Sequence, residues 1–306
     1  MVNLIWNSKK LPQNFDSNIK KYENFFQKVS LNNNKKIENS NSKNKNFENH
    51  LYWGDNLKVA YHLLNKFRDK IKLIYIDPPF FSGSDYKIEV IYNKNSHESL
   101  AYKDRWNHNL DQYLQFLYER LWLFNKLLSH DGLIFVHLDW HASHYIRILL
   151  DQIFGTENFI NSIVWYYYNK YSASKCNLPR AHDEILLYSK SDNYSLNELR
   201  IPRKKPKKQL KRVMINGVLK NAKDENGNVI YRIVHDKKMD DVWTQIPCMQ
   251  PASKQWTGFP TQKHHKLLER IIMLGSNEGD LIFKIYSNSQ NKLKRAEKIY
   301  NSTGGP

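Results

Sequence analysis

Cysteine is scarce in this sequence, which holds only Cys176 and Cys248 among 306 residues. Two distant cysteines form neither a disulfide framework nor the paired spacing of a zinc site, and this usage fits a reducing cytoplasm. Long apolar runs are missing too: no stretch is long enough to span a bilayer, and no signal peptide is recognisable. The sequence therefore predicts a cytoplasmic protein with no membrane partner and with enough length for a hydrophobic core.

Acidic residues are few relative to basic ones. The chain has 47 lysines and arginines against 30 aspartates and glutamates, which gives a formal net charge of +17 and a pI near 9.6. This excess favours a polyanionic partner, and nucleic acid is the first candidate. The alternative is a compositional bias toward asparagine and lysine, so the charge supports a nucleic-acid partner without deciding for it.

Apolar segments alternate in a way that predicts an α/β fold. Short apolar runs typical of buried strands are separated by longer segments with helical spacing, which favours a parallel sheet with helices on both faces. The expected strands are 73–76, 133–138, 159–168, 184–188 and 281–286. One expected helix begins at Asn56. Three others are expected to cover 110–128, 140–154 and 264–274. Residues 82–107 are expected to form a loop.

Composition divides the chain into four parts. The stretch 32–49 is a low-complexity run of Asn and Lys, typical of a mobile arm or linker. A basic segment with two prolines later interrupts the strand–helix rhythm. The expected parts are a polar arm (1–50), a first core part (51–190), an insertion (191–250) and a second core part (251–306).

One strand ends in residues that suit chemistry. The run Leu73 to Ile76 leads into Asp77, Pro78, Pro79 and Phe80. Proline cannot continue a sheet ladder, so the acid and the aromatic ring should lie at the carboxyl end of a buried strand, where open α/β sheets place their ligands. A carboxylate and a backbone carbonyl can accept hydrogen bonds from an amine, and a ring can stack on a base. The same four residues also arise as an ordinary strand-ending turn.

The insertion carries a basic cluster. Residues 200–212 include Arg203, Lys204, Lys205, Lys207 and Lys208. The apolar stretches 213–219 and 229–234 flank a turn centred on residues 224–227, which predicts a small hairpin with a basic stem. The stem could contact the phosphates of a nucleic acid, or it could be a solvated loop.

Several segments together resemble the β-class, amino-group-specific DNA methyltransferases, nearest to the adenine methyltransferases that include type III modification subunits. The resemblance covers roughly residues 51 to 283, with the catalytic motif first, the recognition segment in the middle and the cofactor region last. Its segments are Tyr52 to Asn56, Leu73 to Phe80, Val136 to His141, His182-Asp183, Asp241 to Trp243 and Thr257 to Lys263.

The resemblance implies a Rossmann-like S-adenosylmethionine-dependent methyltransferase sheet that methylates the exocyclic amine of adenine in double-stranded DNA. Asp77 and the Pro78 carbonyl would accept hydrogen bonds from the target amine, and Phe80 would stack on a flipped base. Pro79 completes the catalytic motif. An acid at the first motif position favours adenine over cytosine. Positions matched to the cofactor site are Asp55, Asn56, Thr257, Lys263 and Tyr286.

A metal site is the alternative for part of this pattern. His137, Asp139, His141 and His144 are types that bind metals. However, the first two would end a strand while the last two would start a helix, and the family match explains these residues without a metal. We expect no metal.

The end of the sequence departs from the family pattern. The cofactor loop of the family carries glycines where this chain has Asn288 and Gln290, and an acid where it has Lys284. The chain ends at Pro306, before two further strands expected in relatives. We therefore expect a truncated cofactor motif, an edge position for strand 281–286, and an impaired chain on its own. A second chain could complete the fold, a restriction subunit could be a partner, or the chain could be an inactive relic that retains DNA binding.

Overall fold

The computed structural model describes residues 4–7, 9–12, 15–23, 49–92, 95–107, 109–170, 176, 178–259 and 261–286, of which 88–92, 95–103 and 286 are described by their backbone alone. These described residues form five α-helices: α1 (Phe15–Tyr22), α2 (Asn56–Phe67), α3 (Leu110–Leu127), α4 (Ser143–Phe154) and α5 (His265–Gly275). The strands are β1 (Ile71–Asp77), β2 (Asp85–Tyr92), β3 (Asn95–Lys103), β4 (Leu128–Leu138), β5 (Phe159–Tyr166), β6 (His182–Ser189), β7 (Arg200–Leu210), β8 (Arg212–Ile215), β9 (Val218–Asn221), β10 (Tyr231–Lys238), β11 (Val242–Trp243) and β12 (Ile282–Tyr286).

The central sheet has six strands in the order β11-β5-β6-β4-β1-β12. β1 runs parallel to β4 and β12, and β11 runs parallel to β5, but β6 is antiparallel to both β4 and β5. The α/β class is confirmed, whereas the purely parallel sheet was wrong. The physical reason is local: the described residues between β5 and β6 form no helix, so the chain reverses without the crossover that a parallel pair needs.

β1 lies inside the sheet, and all seven of its residues are buried. Because side chains alternate along a strand, Ile74 and Ile76 enter the core shared with α2, α3 and α4. Leu73 and Tyr75 point to the opposite face, where they pack in a second core with residues of α5. Helices therefore cover both faces, and the carboxyl end of β1 lies between the two layers.

Residues 82–107 form a hairpin rather than the expected loop. β2 and β3 pair antiparallel from Asp85↔Lys103 to Tyr92↔Asn95. The signal was present, since residues 85–90 alternate between polar and apolar types, as a half-exposed strand does. The long connection after β1 is thus largely regular structure.

The insertion also differs from expectation. The basic stretch is strand β7, which pairs with β10, while β8 pairs with β9 around the turn Asn216–Gly217. The expected turn at residues 224–227 exists, with Gly227 N donating to the Asp224 carbonyl at 3.0 Å, but it links β9 to β10. The predicted pairing of 213–219 with 229–234 was therefore wrong. The two prolines of β7 are compatible with a strand because β7 pairs with one partner strand, so one of its edges needs no backbone donors.

Among the described strands, β12 lies at the end of the sheet order beside β1, which is the edge position expected from the sequence. Of the positions that carry the departure from the family pattern, Lys284 lies in β12, whereas Asn288 and Gln290 lie outside the described residues. Across the part of the chain that the structure describes, no helix is long and apolar enough to cross a membrane.

Candidate active site

Asp77 is the last residue of β1 and is 6% exposed. Its register partner in β12 is Tyr286, so the backbone of Tyr286 lies beside it at the carboxyl edge of the sheet. Pro78 and Pro79 end the strand, and the Tyr113 hydroxyl of α3 donates to the Pro79 carbonyl at 2.7 Å. The sequence thus places a buried carboxylate at the sheet edge, and α3 fixes the segment that follows it.

A second carboxylate organises the chain after Phe80. Phe81 has a φ of 64°, which is unusual for a bulky side chain. Asp104, which is fully buried, accepts hydrogen bonds from the Phe81 amide at 3.0 Å, the Ser82 amide at 2.8 Å and the Trp106 indole at 3.1 Å. These bonds hold the turn in place and with it the direction in which Phe80 leaves the sheet.

Lys263 reaches the motif from the segment before α5. Its Nζ lies 3.2 Å from Oδ1 of Asp77 and 4.7 Å from the centroid of the Phe80 ring. Burial disfavours the charge of Lys263, but the carboxylates of Asp77 and Asp183 outweigh burial and hold the pKa of this ammonium above its usual value. Lys263 is therefore a buried cation that contacts both the acid and the aromatic ring of the motif.

A chain of hydrogen bonds lies behind this ion pair on the same face of the sheet. The Tyr75 hydroxyl is 2.8 Å from Nδ1 of His137, and Nε2 of His137 is 3.0 Å from Oδ2 of Asp183. The Tyr167 hydroxyl donates to the other oxygen of Asp183 at 2.9 Å. Because an ionised carboxylate only accepts hydrogen bonds, Nε2 of His137 carries a proton.

The environment of Asp183 favours its charged form. Burial alone would raise the pKa of Asp183, but its hydrogen bond and charge interaction with His137, assisted by Lys263 and Tyr167, lower the pKa to about 2. His137 also packs against the Phe80 ring, with 5.8 Å between ring centroids. The His137–Asp183 pair thus supports both Phe80 and Lys263.

The residues just described fall inside a recognised sequence family. The model of the family described as DNA methylase (N6_N4_Mtase) matches residues 71–290 of this chain, which is most of its length. The chain belongs to this DNA methylase family.

Individual relatives agree with the family match. The type III restriction-modification enzyme EcoP15I Mod subunit of Escherichia coli is 29% identical over 178 residues, covering 53% of this chain and 27% of that protein. The type II methyltransferase M.EcaI of Enterobacter cloacae is 29% identical over 304 residues, covering 82% of this chain and 64% of that protein. The match thus spans less than two thirds of either relative. The crystal structure of the M1.HpyAVI–SAM complex aligns with 14% identity and a TM-score of 0.46, over 83% of this chain and 98% of that chain.

Two residues that the resemblance assigns to a cofactor site, Asp55 and Asn56, lie at the start of α2. Oδ1 of Asp55 caps the helix by accepting from the amides of Leu57 and Lys58 at 3.0 and 3.2 Å. Its Oδ2 lies 3.2 Å from the Arg120 guanidinium, whose Nε donates to Oδ1 of Asn56 at 2.5 Å. These contacts join Asp55 and Asn56 to α3, so these two residues are not part of the Asp77–Lys263 cluster.

Thr257 lies in the loop that leads to Lys263. Its amide and hydroxyl donate to Oε1 of Gln262 at 2.8 and 2.7 Å, and Gln262 Nε2 donates to the Gln255 carbonyl at 2.7 Å. Gly258, with a φ of 79°, permits the turn between them. Thr257 therefore shapes the loop that presents Lys263.

The four residues of the metal alternative do not converge. His137 is engaged by Tyr75 and Asp183, whereas Asp139 accepts from the His141 amide at 2.9 Å and lies 2.5 Å from its Nδ1. Within the described ranges, no group of three or more His, Cys, Asp or Glu side chains is placed to hold a metal ion.

The predicted DNA-contacting residues lie on β7, away from the core. We call the β7–β10 pair the basic ribbon. Arg203 Nε donates to the Asp236 carbonyl at 2.8 Å, and Lys208 Nζ lies 4.4 Å from the centroid of the Tyr231 ring. The lysines that are exposed on β7 are Lys204, Lys205, Lys207 and Lys208.

The sequence did not predict the contacts that four residues make at this site. Tyr113 lies in the helix expected over 110–128, and its hydroxyl holds the Pro79 carbonyl. Asp104 lay in a segment expected to be a loop, and no local pattern marks it. Tyr75 and Asp183 could have been paired with His137 from strand alternation, because all three lie on one face near the carboxyl edge.

Proposed function

We propose that this chain is a DNA methyltransferase that transfers a methyl group from S-adenosylmethionine to the exocyclic amine of adenine in double-stranded DNA. The observation that supports it best is Asp77, a buried carboxylate at the carboxyl end of β1 with the Phe80 ring and a cation beside it. Family membership supplies the reaction class. The acid at the first motif position supports adenine over cytosine.

Asp77 and the Pro78 carbonyl would accept the two hydrogens of the target amine. This orients the nitrogen lone pair and disperses the positive charge that grows on the nitrogen during attack. Phe80 would stack on the base after it leaves the duplex. Because Lys263 already donates to Oδ1 of Asp77, the amine must share that carboxylate with the ammonium or displace it.

The charges around Asp77 fit a cationic cofactor. Two carboxylates, Asp77 and Asp183, act on one ammonium, Lys263, so negatively charged groups are present at this edge of the sheet. When bound, S-adenosylmethionine supplies an electrophilic methyl group on a sulfonium. We propose that the Asp77 edge of the sheet, with Tyr286 and Lys263, faces this group. Asp55, Asn56 and Thr257 would contribute from the neighbouring α2 terminus and loop.

The basic ribbon is the proposed contact with the DNA backbone. Its exposed lysines can neutralise phosphates, which provides affinity without sequence preference. The similarity to Mod subunits of type III enzymes supports a restriction subunit as a further partner.

A labelled-methyl transfer assay tests this function. The purified chain is incubated with radiolabelled S-adenosylmethionine and plasmid DNA of mixed sequence, and the product nucleosides are identified by mass spectrometry. The expected product is N6-methyladenine, formed by the wild type and not by Asp77→Asn. Asp131→Asn is the matched control, because Asp131 is also paired with a lysine, Lys72 at 2.7 Å, but near the start of β4.

Each outcome of that assay is informative. If the product is N4-methylcytosine, the target base is cytosine rather than adenine, but the reaction is still methyl transfer to an exocyclic amine. A folded wild-type chain that transfers no methyl group, with DNA binding intact, would replace the proposal by the alternative given from the sequence, an impaired chain or relic that retains DNA binding. Equal transfer by Asp77→Asn would remove Asp77 from the chemistry.

A further inference from the structure

A cavity of about 240 Å³ lies on the opposite face of the sheet from Asp77, next to the start of α4. Val164 pairs with Glu184 in the β5–β6 register, and their side chains point away from Trp165 and Asp183. The cavity thus lies near the carboxyl edge but outside the Asp77 cluster. We call it the Trp140 pocket; it is lined by Trp140, Ser143, Val164, His182 and Glu184.

Trp140 gives this pocket a flat aromatic wall. It lies in the turn between β4 and α4 and is 48% exposed. The His141 ring stacks on it with 3.9 Å between centroids, and the exposed Arg180 guanidinium lies 3.6 Å from the Trp140 ring centroid. The two groups lie on opposite faces of the indole, so a base stacks on Trp140 when the exposed Arg180 side chain moves off the ring. Aromatic rings are surfaces on which unstacked bases stack.

Glu184 gives the pocket a hydrogen-bond acceptor. Its Oε1 accepts from the Ser162 hydroxyl at 2.5 Å. A carboxylate offers about four acceptor positions on two oxygens, so this bond leaves capacity for a donor on a ligand. A flat ring with an amino group would satisfy the acceptor while it contacts Trp140 and the apolar Val164.

We propose that the Trp140 pocket binds an unstacked, amino-bearing base of DNA, with Arg180 next to the phosphate of the same nucleotide. This inference rests on the proposed function, because it takes DNA as the ligand. The pocket borders β6, two strands from β1, so it lies about 10 Å from Asp77 along the sheet. A nucleotide close to the target base, or the base that loses its partner when the target flips out, can reach it.

Equilibrium binding of short single-stranded homopolymers tests the pocket without requiring catalysis. Oligonucleotides of deoxyadenosine, deoxycytidine or thymidine are titrated with the full chain, without cofactor, and affinity is read by fluorescence anisotropy. We expect the amino-bearing homopolymers to bind more tightly than the thymidine homopolymer. Trp140→Ala should weaken binding roughly tenfold, as expected for the loss of one stacked base, and Trp140→Phe should retain most of the affinity.

Glu184→Gln separates base choice from stacking. It should leave the affinity for the thymidine homopolymer unchanged and reduce the preference for the amino-bearing ones. Tyr194→Ala is the control for removing a surface aromatic side chain, because Tyr194 is 39% exposed and lies outside the pocket. It should change neither the affinity for the homopolymers nor the preference among them. Circular dichroism confirms that each variant is folded.

The outcomes separate this inference from the proposed function. If Trp140→Ala leaves the affinity unchanged, or if the wild type shows no base preference, the Trp140 pocket does not bind a base, even if the chain methylates DNA. Binding that depends on Trp140 in a chain that transfers no methyl group would sustain the pocket and overturn the methyltransferase.

Discussion

The Nζ atom of Lys263 lies 3.2 Å from Oδ1 of Asp77, which joins the segment before α5 to the carboxyl end of β1. The family resemblance assigned Lys263 to the cofactor region and Asp77 to the target amine. The structure brings them into one cluster, with Phe80 beside the ammonium. In the proposed reaction, cofactor charge, target orientation and base stacking would be coupled through this one cation.

Replacing Lys263 should destabilise the fold strongly. Lys263→Met leaves Asp77 and Asp183 buried without their shared cation, so we expect a loss of roughly 3–5 kcal/mol in the free energy of unfolding. The matched control is Lys237→Met, which breaks a surface pair with Asp240 whose side chains are 38% and 46% exposed. That change should cost less than about 1 kcal/mol. Urea unfolding measures both, and similar losses would contradict a buried ion cluster.

Asp183 should make stability depend on pH in the acid range. Its pKa in the folded state is about 2, below the ordinary value of 3.8. A lowered pKa means that the stabilisation is present above the unfolded pKa and is lost as pH falls through the folded one. We expect Asp183→Asn to cost on the order of 2 kcal/mol near pH 6.

The difference between the wild type and Asp183→Asn should shrink below about pH 4 and be small near pH 2. Urea unfolding at several pH values measures it. A difference that stays constant from neutral to acid pH would show that the carboxylate charge of Asp183 contributes nothing.

Asp104 should support activity without touching the substrate. Asp104→Ala removes the acceptor for the Phe81 and Ser82 amides, so the turn with positive φ at Phe81 loosens and Phe80 loses its fixed direction. We expect methyl transfer to fall by at least about tenfold, since small misplacements near reacting groups are costly. Asp85→Ala, in the same hairpin, is the control. If transfer by Asp104→Ala equals that of the control, the turn does not position Phe80.

The basic ribbon should set the salt dependence of DNA binding. The triple change Lys204→Glu, Lys205→Glu and Lys207→Glu should weaken binding and lower the slope of log affinity against log salt by roughly three, at about 0.9 per phosphate contact. The control makes the same charge change at exposed lysines near the start of the chain, namely Lys10, Lys20 and Lys21. If the two triple variants have the same affinity and the same salt slope, the basic ribbon acts only through the net charge of the protein.

Local patterns in the sequence were enough to predict β1 and α2, two of the elements that form the site. The apolar run of β1 and the two prolines after it define a buried strand and its end, and Asp55 marks the start of α2 as its N-cap. Each of these signals lies within a few neighbouring residues. Such signals are the ones that a single sequence carries most reliably.

The rest depended on contacts between distant segments. The reversal of β6 follows from how β5 returns to the sheet, and the Lys263 contact depends on the loop shaped by Thr257 and Gln262. In the insertion, two Gly-containing turns competed, and the asparagine–glycine pair at 216–217 was the stronger hairpin signal. This asparagine–glycine pair predicts the β8–β9 hairpin that the structure shows.

The central claim is that Asp77 accepts the target amine in methyl transfer to adenine. The most direct test is sequencing of modified bases in DNA from methylation-deficient cells that produce the chain. We predict N6-methyladenine at one recurrent sequence with the wild type and with Asp131→Asn, and none with Asp77→Asn. Unmodified DNA from cells that contain the folded wild-type chain, or the same modification with Asp77→Asn, would contradict the account.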